Sequence, residues 1–223
     1  METPQPLEAE FFCVSCRTPF QNAWPLDAMG RCALCRSGLR SFDAAYAFGA
    51  YEGVLRHLIH LFKYARVKTL APPLSRMLAL ALPRDEAFDA VVPVPLYWRR
   101  RLQRGFNQSE LLARGLSRQS RIPLAKALVR LRPTPVQAGL SNSARRQNVT
   151  RAFRARGVQG KRILLVDDVL TTGSTAAACA SALKQAGARR VALLTLARAD
   201  RRMESWRLRA NASDSGGKGS NAE

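Results

Sequence analysis

The sequence predicts an α/β protein built on a parallel sheet, with a small metal-holding cysteine module at its start. Three observations carry that expectation. Residues 162–196 read as strand, helix and strand; four cysteines stand in two C-x2-C pairs within residues 13–35; and a loop of acids and hydroxyls joins the first strand of the unit to its helix.

Taken in order, residues 1–10 predict a loose tail. Residues 11–40 hold four cysteines and little periodic apolar pattern, so a hydrophobic core alone cannot fold them. Phe42 to Tyr51 reads as a strand, with Gly49 and Glu52-Gly53 as turn signals. Val54, Leu55, Leu58, Ile59 and Phe62 fall at helical spacing, which predicts a helix to Tyr64. A second helix is expected from about Pro73 to Leu82, with Pro72 and Pro73 near its start and Pro83 beyond it. Asp89 to Val94 is short and β-branched, as a buried parallel strand should be. Residues 99–107 predict a basic loop and Ser109 to Leu116 a helix. From Leu131 to Asn148 there is no period, only Pro133, Pro135 and Gly139 as turn formers; long loops of this kind in compact domains are often functional lids.

The last unit is the clearest. Arg162 to Asp167 predicts a buried strand, Asp168 to Gly173 a turn, and Ser174 to Ala186 an alanine-rich helix with Gly187 at its C′ position. Val191 to Leu196 follows as the next strand, giving a right-handed βαβ unit with parallel strands. From Asp200 the chain turns polar and rich in Gly and Ser, which predicts a disordered tail. The expected division is therefore 1–10, 11–40, 41–199 and 200–223.

With 223 residues, 47% hydrophobic and 23% charged, the chain can bury a substantial core. No apolar run reaches the roughly 20 residues that span a bilayer, which excludes membrane insertion through a helix. The first residues lack a basic start and an apolar stretch, so no secretory signal is read. The expected compartment is the cytoplasm, where thiols stay reduced and cysteine pairs commonly hold metal. Lys and Arg number 36 against 16 acids, a net charge of +20. From Trp98 to Arg156, 14 Arg and one Lys face the single acid Glu110, so this stretch carries +14. Such a field attracts polyanions, although an arginine-rich surface without a ligand would look the same.

Cys13-x2-Cys16 and Cys32-x2-Cys35 are separated by 15 residues. Each pair puts two thiolates on one tight turn, and two such turns close a tetrahedral site of the kind that suits Zn2+. Redox dithiols or an iron–sulfur cluster are the alternatives, but neither pair opens a thioredoxin-like helix after a strand. With all four positions filled by protein, the zinc would be structural, and would supply much of the folding energy of its segment. Cys179, among alanines, reads as a small core residue. His57 and His60, three apart on one helix, read as a surface or half-buried pair.

The segment Val166-Asp167-Asp168-Val169-Leu170-Thr171-Thr172-Gly173-Ser174-Thr175 carries the functional expectation. It starts at the carboxyl end of a predicted parallel strand, where open α/β sheets bind ligands, and ends at a helix N-terminus, which favours phosphate. Gly173 permits close backbone approach, and the hydroxyls of Thr171, Thr172, Ser174 and Thr175 can donate to phosphate oxygens. Asp167 and Asp168 can accept from a sugar diol or face Mg2+. No G-x-G-x-x-G occurs, and Gly157 to Arg162 fails as a Walker loop. A plain helix cap remains the structural alternative.

That segment closely resembles the phosphoribosyl-pyrophosphate signature of type I phosphoribosyltransferases. The cysteine knuckle, Phe62-Lys63-Tyr64, Val92-Pro93-Val94-Pro95-Leu96, Arg104-Gly105-Phe106-Asn107-Gln108, Gln137-x-Gly139-Leu140-Ser141 and Arg145-Arg146-Gln147-Asn148-Val149 are similar to the ComF (ComFC) family, over about residues 11–198. The resemblance implies a parallel-sheet type I phosphoribosyltransferase fold with an N-terminal four-cysteine zinc knuckle, and a competence-associated role. It implies that Asp167 and Asp168 meet the ribose hydroxyls, that Thr171 to Thr175 enclose the 5-phosphate, and that Arg99, Arg100 and Arg101 contact pyrophosphate after an early strand. It further implies a closing loop over about Arg132 to Asn148, from which Arg145 and Arg146 reach the pyrophosphate; Lys63 adds charge or is merely solvated. Asp167, Asp168, Arg145 and Arg146 are thus the expected catalytic set, with Mg2+ accompanying phosphoribosyl pyrophosphate.

Two functions remain open on the sequence. One is a phosphoribosyltransferase that displaces pyrophosphate at the anomeric carbon, its acceptor unnamed by any residue of the 42–82 stretch. The other is a non-catalytic, single-stranded-DNA-handling or assembly protein of the transformation machinery, partnered with other competence proteins, in which the loop senses a ligand. For the second, Trp98, Phe106 and Phe153 would supply stacking platforms in the basic stretch.

Overall fold

A computed structural model describes residues 3–7, 9–20, 23–38, 41–132 and 152–199, with the backbone alone at Arg100 and Arg101. The expected lid, with Arg145 and Arg146, and the expected C-terminal tail lie outside the described residues.

The centre is a four-stranded sheet in which every pairing is parallel. Its strands are β3 (Ala44–Ala50), β4 (Ala90–Pro93), β7 (Arg162–Leu170) and β8 (Arg190–Arg198), in the order β3-β8-β7-β4. Ile163, Leu164, Leu165 and Val166 are all fully buried, because both faces of the sheet are covered. Alternation then sorts them. Leu164, Val166, Ala192 and Leu194 share a cluster with residues of α2 (Gly53–Tyr64), α3 (Ala71–Leu80) and α5 (Gln108–Ser120). Ile163, Leu165, Val191 and Leu193 share the opposite cluster with α6 (Ser174–Gln185), Phe20 and three of the paired cysteines.

Each helix follows from its sequence. On α2, Leu55, Ile59 and Phe62 recur on one face and are buried, each stabilising by roughly 1.5–3 kcal/mol. Helix α3 carries prolines in its first turn, where no intrahelical N–H is lost. It crosses α5 closely: a Cβ placed on Gly115 would stand 2.5 Å from that of Ser75. On α6, Ala176 to Ala178, Ala180 and Ala182 are buried beside Cys179 and Leu183, so small side chains bring the helix close to the sheet. It stops as predicted: Gly187 takes φ +88°, which an L side chain resists, and Ala188 N–H returns to the Leu183 carbonyl at 3.0 Å.

Two expectations are corrected. The basic stretch read as a loop contains a helix, α4 (Trp98–Arg104). Its residues hold no breaker, and Arg, Leu and Gln are good helix formers; charge density hid that preference. The strand expected to end at Asp167 continues to Leu170, so Asp168 belongs to β7 rather than to a turn. Two short strands also went unread: β5 (Leu128–Arg130) and β6 (Phe153–Ala155) pair antiparallel on either side of residues 133–151.

The cysteine module comprises the hairpin β1 (Phe11–Phe12) and β2 (Pro19–Phe20), and the single-turn helix α1 (Ala33–Arg36). Ala45 N–H of β3 donates to the Cys16 carbonyl at 2.9 Å and ties the module to the sheet. Among the described residues no helix is long and apolar enough to cross a membrane.

Candidate functional site

Strands β4 and β7 run side by side to the carboxyl edge, where Val94 N–H donates to the Val166 carbonyl at 2.9 Å. Beyond that point β7 presents Asp167 and Asp168, whose side chains alternate across the sheet. Asp167 joins Thr171, Thr172, Gly173, Ser174 and Thr175 around a pocket of about 60 Å3, with Thr195 of β8 in its wall. Asp168 is buried and meets Lys63 of α2, Nζ to Oδ1 2.8 Å.

The loop after β7 has the features an anion needs. Gly173, at φ +74°, is the N-cap of α6 and offers no side-chain cap; no acid lies in the first turn. Among the described residues the amides of Thr171, Thr172 and Gly173 donate to no protein group, while the Thr172 and Ser174 hydroxyls lie 3.1 Å apart at the surface. Unpaired amides, hydroxyls and the positive end of a three-turn helix therefore converge on one spot. Gly173 itself cannot cap the helix, and the only cap-like contact at this end among the described residues is a long one, Ser174 N–H to Thr172 Oγ1 at 3.5 Å.

The acids are held from two sides. Ser109 Oγ donates to Asp167 Oδ1 at 2.8 Å, and the same oxygen accepts from Asp168 N–H at 2.9 Å. Ser109 is placed by Asn107, which caps α5: its Oδ1 accepts from Ser109 N–H at 3.1 Å while its Nδ2 donates to the Val94 carbonyl at 3.1 Å. Burial pushes the Asp167 carboxyl up to about 7, and the neighbouring Asp168 charge adds to the rise; Lys63 and Ser109 act against it. Burial alone would lower Lys63, but Asp168 outweighs it and holds the ammonium above its usual value. One oxygen of each carboxylate has no partner among the described residues, leaving hard donors of the type a divalent cation takes.

Of the residues expected at the site, the structure therefore brings together Asp167 and Thr171 to Thr175 around one pocket; Asp168, the next residue of β7, does not line it and meets Lys63 instead. Lys63 joins them as a half-buried ion-pair partner of Asp168 rather than a free surface lysine. Arg99 stands on α4 just past the end of β4, exposed, with its guanidinium carbon 5.3 Å from the Trp98 ring centroid. The side chains of Arg100 and Arg101, and the whole of Arg145 and Arg146, lie outside the described residues. Ser109 was missed; the available signal was a hydroxyl at the start of the helix that follows Arg104 to Gln108. His57 and His60 are exposed, and His60 stacks on Tyr64 with ring centroids 4.7 Å apart. Cys179 is buried in the core, as read.

The second centre is the thiol cluster. The sulfurs of Cys13, Cys16, Cys32 and Cys35 all lie within 4.8 Å of one another, with Cys13 to Cys35 at 3.6 Å and Cys16 to Cys32 at 3.8 Å. A tetrahedron of thiolates about 2.3 Å from one ion has edges of about 3.8 Å, so the set could hold a single metal ion. Hydrogen bonding from Cys16 lowers the Cys32 thiol, while burial raises that of Cys35. Cys32 N–H donates to the Cys13 sulfur at 3.3 Å.

Comparison with known proteins agrees with this geometry. Residues 104–214 match the family described as Phosphoribosyl transferase domain, a span that includes α5, β7, the loop and β8. The chain is 37% identical over 175 residues to DNA utilization protein YhgH of Escherichia coli O157:H7, covering 75% of this chain and 77% of that one. It is 37% identical over 180 residues to Competence protein F of Haemophilus influenzae, covering 75% and 78%. A shorter match, 34% identical over 97 residues, covers 44% of this chain and 39% of Competence protein ComFC of Bacillus subtilis.

Proposed function

The chain belongs to the ComF/ComFC family, and from that premise we propose that it binds phosphoribosyl pyrophosphate with Mg2+ at the carboxyl edge of β7. The observation that carries the reading is the conjunction of uncommitted amides at Thr171 to Gly173 with two adjacent carboxylates on the same strand. In this reading the amides and the hydroxyls of Thr171, Thr172, Ser174 and Thr175 hold the 5-phosphate. Asp167 and Asp168 accept from the ribose hydroxyls, and their free oxygens hold Mg2+ through water; the ion would neutralise charge on pyrophosphate. Ser109 and Lys63 orient the two acids.

The corresponding reaction breaks the bond from the anomeric carbon to pyrophosphate oxygen and forms one to an acceptor, which loses its proton as pyrophosphate leaves. Electrostatic stabilisation of the leaving group, with Arg99, Arg100, Arg145 and Arg146 as its cationic contacts, would drive that step without a protein nucleophile. The four thiolates hold one structural Zn2+. The relatives are named for competence and DNA utilization, and we assign this chain to the same process.

Calorimetry with phosphoribosyl pyrophosphate and Mg2+ tests the site. Wild type should bind and Asp167→Asn/Asp168→Asn should not; equal binding by both would remove the carboxylates from the account. A second reading, contact with single-stranded DNA, loses Phe106 and Phe153, which are buried in the core, and draws instead on the exposed Trp98 and Tyr64, over whose rings Arg99 and Arg104 stand at 5.3 and 5.1 Å. Its test is titration of labelled single strands at several salt concentrations, where a slope near zero would dismiss it.

A further inference from the structure

The cysteine module does not sit apart from the phosphate loop. Leu34 lies on α1, between the ligand-type residues Cys32 and Cys35, and packs on Gly173: a Cβ placed there would be 2.9 Å from Leu34 Cδ2. A second contact runs through Arg198 at the end of β8. Its Nη1 donates to the Thr171 carbonyl at 2.8 Å and to that of Leu170 at 3.4 Å, while its guanidinium carbon stands 4.9 Å from the ring centroid of Phe20 in β2. Between the two contacts lies a cavity of about 240 Å3, whose walls include Phe20, Leu34, Thr171 and Thr172. Around this cavity the loop meets the module through those two contacts, while Phe20 and the cysteines pack into the apolar cluster beneath the sheet.

The contact through Leu34 depends on the metal site. Helix α1 has four residues, none of them buried, and begins and nearly ends on cysteines. One turn of helix is far below the length that is stable in water, so its position depends on the thiol cluster at its two ends together with the packing of Leu34 and Cys35 on the core. The loop cannot fix itself either, since its amides lack protein partners and Gly173 is open to many conformations.

We infer that the metal module sets the shape of the phosphate loop, with Leu34 and Arg198 as the positioning residues that transmit metal occupancy to Thr171–Gly173. Leu34 closes off the conformations that would swing Gly173 toward the module. Arg198, whose guanidinium lies over Phe20, holds the Thr171 carbonyl and so favours the loop conformation in which the following amides stay available to the ligand. The inference rests on the two assignments above, of a metal to the thiols and of a phosphate to the loop.

Backbone 15N relaxation of the full chain tests it, in zinc-loaded protein, in protein stripped by a chelator, and in zinc-loaded Leu34→Ala. Order parameters at Thr171, Thr172 and Gly173 should be near about 0.85 when loaded, and below about 0.6 in the stripped protein and in Leu34→Ala. Leu164 and Leu193 in the sheet should stay rigid throughout, Leu34→Ala should retain its zinc, and Leu34→Met should restore the loop. Loop values that ignore both metal and Leu34, or that fall only together with those of the sheet, overturn the inference. Ribose 5-phosphate titrations run alongside should show Leu34→Ala at least tenfold weaker than wild type. Failure of zinc-loaded wild type to bind ribose 5-phosphate would instead sink the phosphate assignment, and the relaxation data would still decide the coupling.

Discussion

Replacing Lys63 by Met keeps most of the side chain's volume and removes the charge that Asp168 faces. The pair is well shielded, with side-chain exposures of 15% and 12% and a separation of 2.8 Å. At an effective dielectric of about 20, that separation corresponds to a gross attraction of about 6 kcal/mol, and removing one partner from such a pair typically costs about 3–5 kcal/mol. The cost should depend on pH with a definite sign. Asp167 already stands at about 7, above its unfolded value near 3.8, and Lys63 is one of the influences that hold it down. Without Lys63 it rises further. A carboxyl raised on folding favours the native state below its unfolded pKa, and that contribution is lost as pH climbs through the folded value. Urea denaturation should therefore show Lys63→Met destabilised by about 3 kcal/mol at pH 8 and by less than half of that at pH 5. Adding Asp168→Asn should recover much of the loss at pH 8. A penalty equal at both pH values, or a double variant weaker than Lys63→Met, would refute the ion-pair reasoning.

Gly115→Ala should destabilise by about 2 kcal/mol in thermal or urea unfolding, because overpacking against Ser75 outweighs the gain in helix propensity; a companion Ser75→Gly should reverse most of it. Asn107→Ala removes the α5 cap and should cost about 0.5–2 kcal/mol, and it should also weaken phosphoribosyl pyrophosphate binding by loosening Ser109 from Asp167. Binding of phosphoribosyl pyrophosphate with Mg2+ should strengthen between pH 6 and pH 8 as Asp167 ionises, and calorimetry of Asp167→Asn should show a flatter profile over that range.

Much of this was legible because it is local. The apolar run Ile163 to Val166, closed by acids and followed by hydroxyls, glycine and alanines, spells a strand, a loop and a helix within one window. The two C-x2-C pairs likewise declare a four-sulfur cluster, and the sulfurs do gather. What escaped depends on distance along the chain or on weak local signals. Ser109 and Asp167 are 58 residues apart, and nothing local to either announces the bond. Lys63 could be solvated or paired until α2 was seen to end over Asp168. Strands of three residues, as in β5 and β6, are too short for alternation to register. In α4 three consecutive arginines masked a helical preference. Where the cysteine module docks was equally unreadable, since its contacts with Gly173 and Arg198 join residues that share no pattern.

The uneven covering of the sheet has a practical consequence. Among the described residues one face carries three helices; the other has α6, the β5–β6 pair and the cysteine module, whose Phe20 and cysteines belong to the same apolar cluster as Leu165 and Leu193. The module serves there as roofing that a further helix would otherwise provide. A fragment beginning after residue 40 would bare that greasy side to water, and should clump rather than behave as an independent domain.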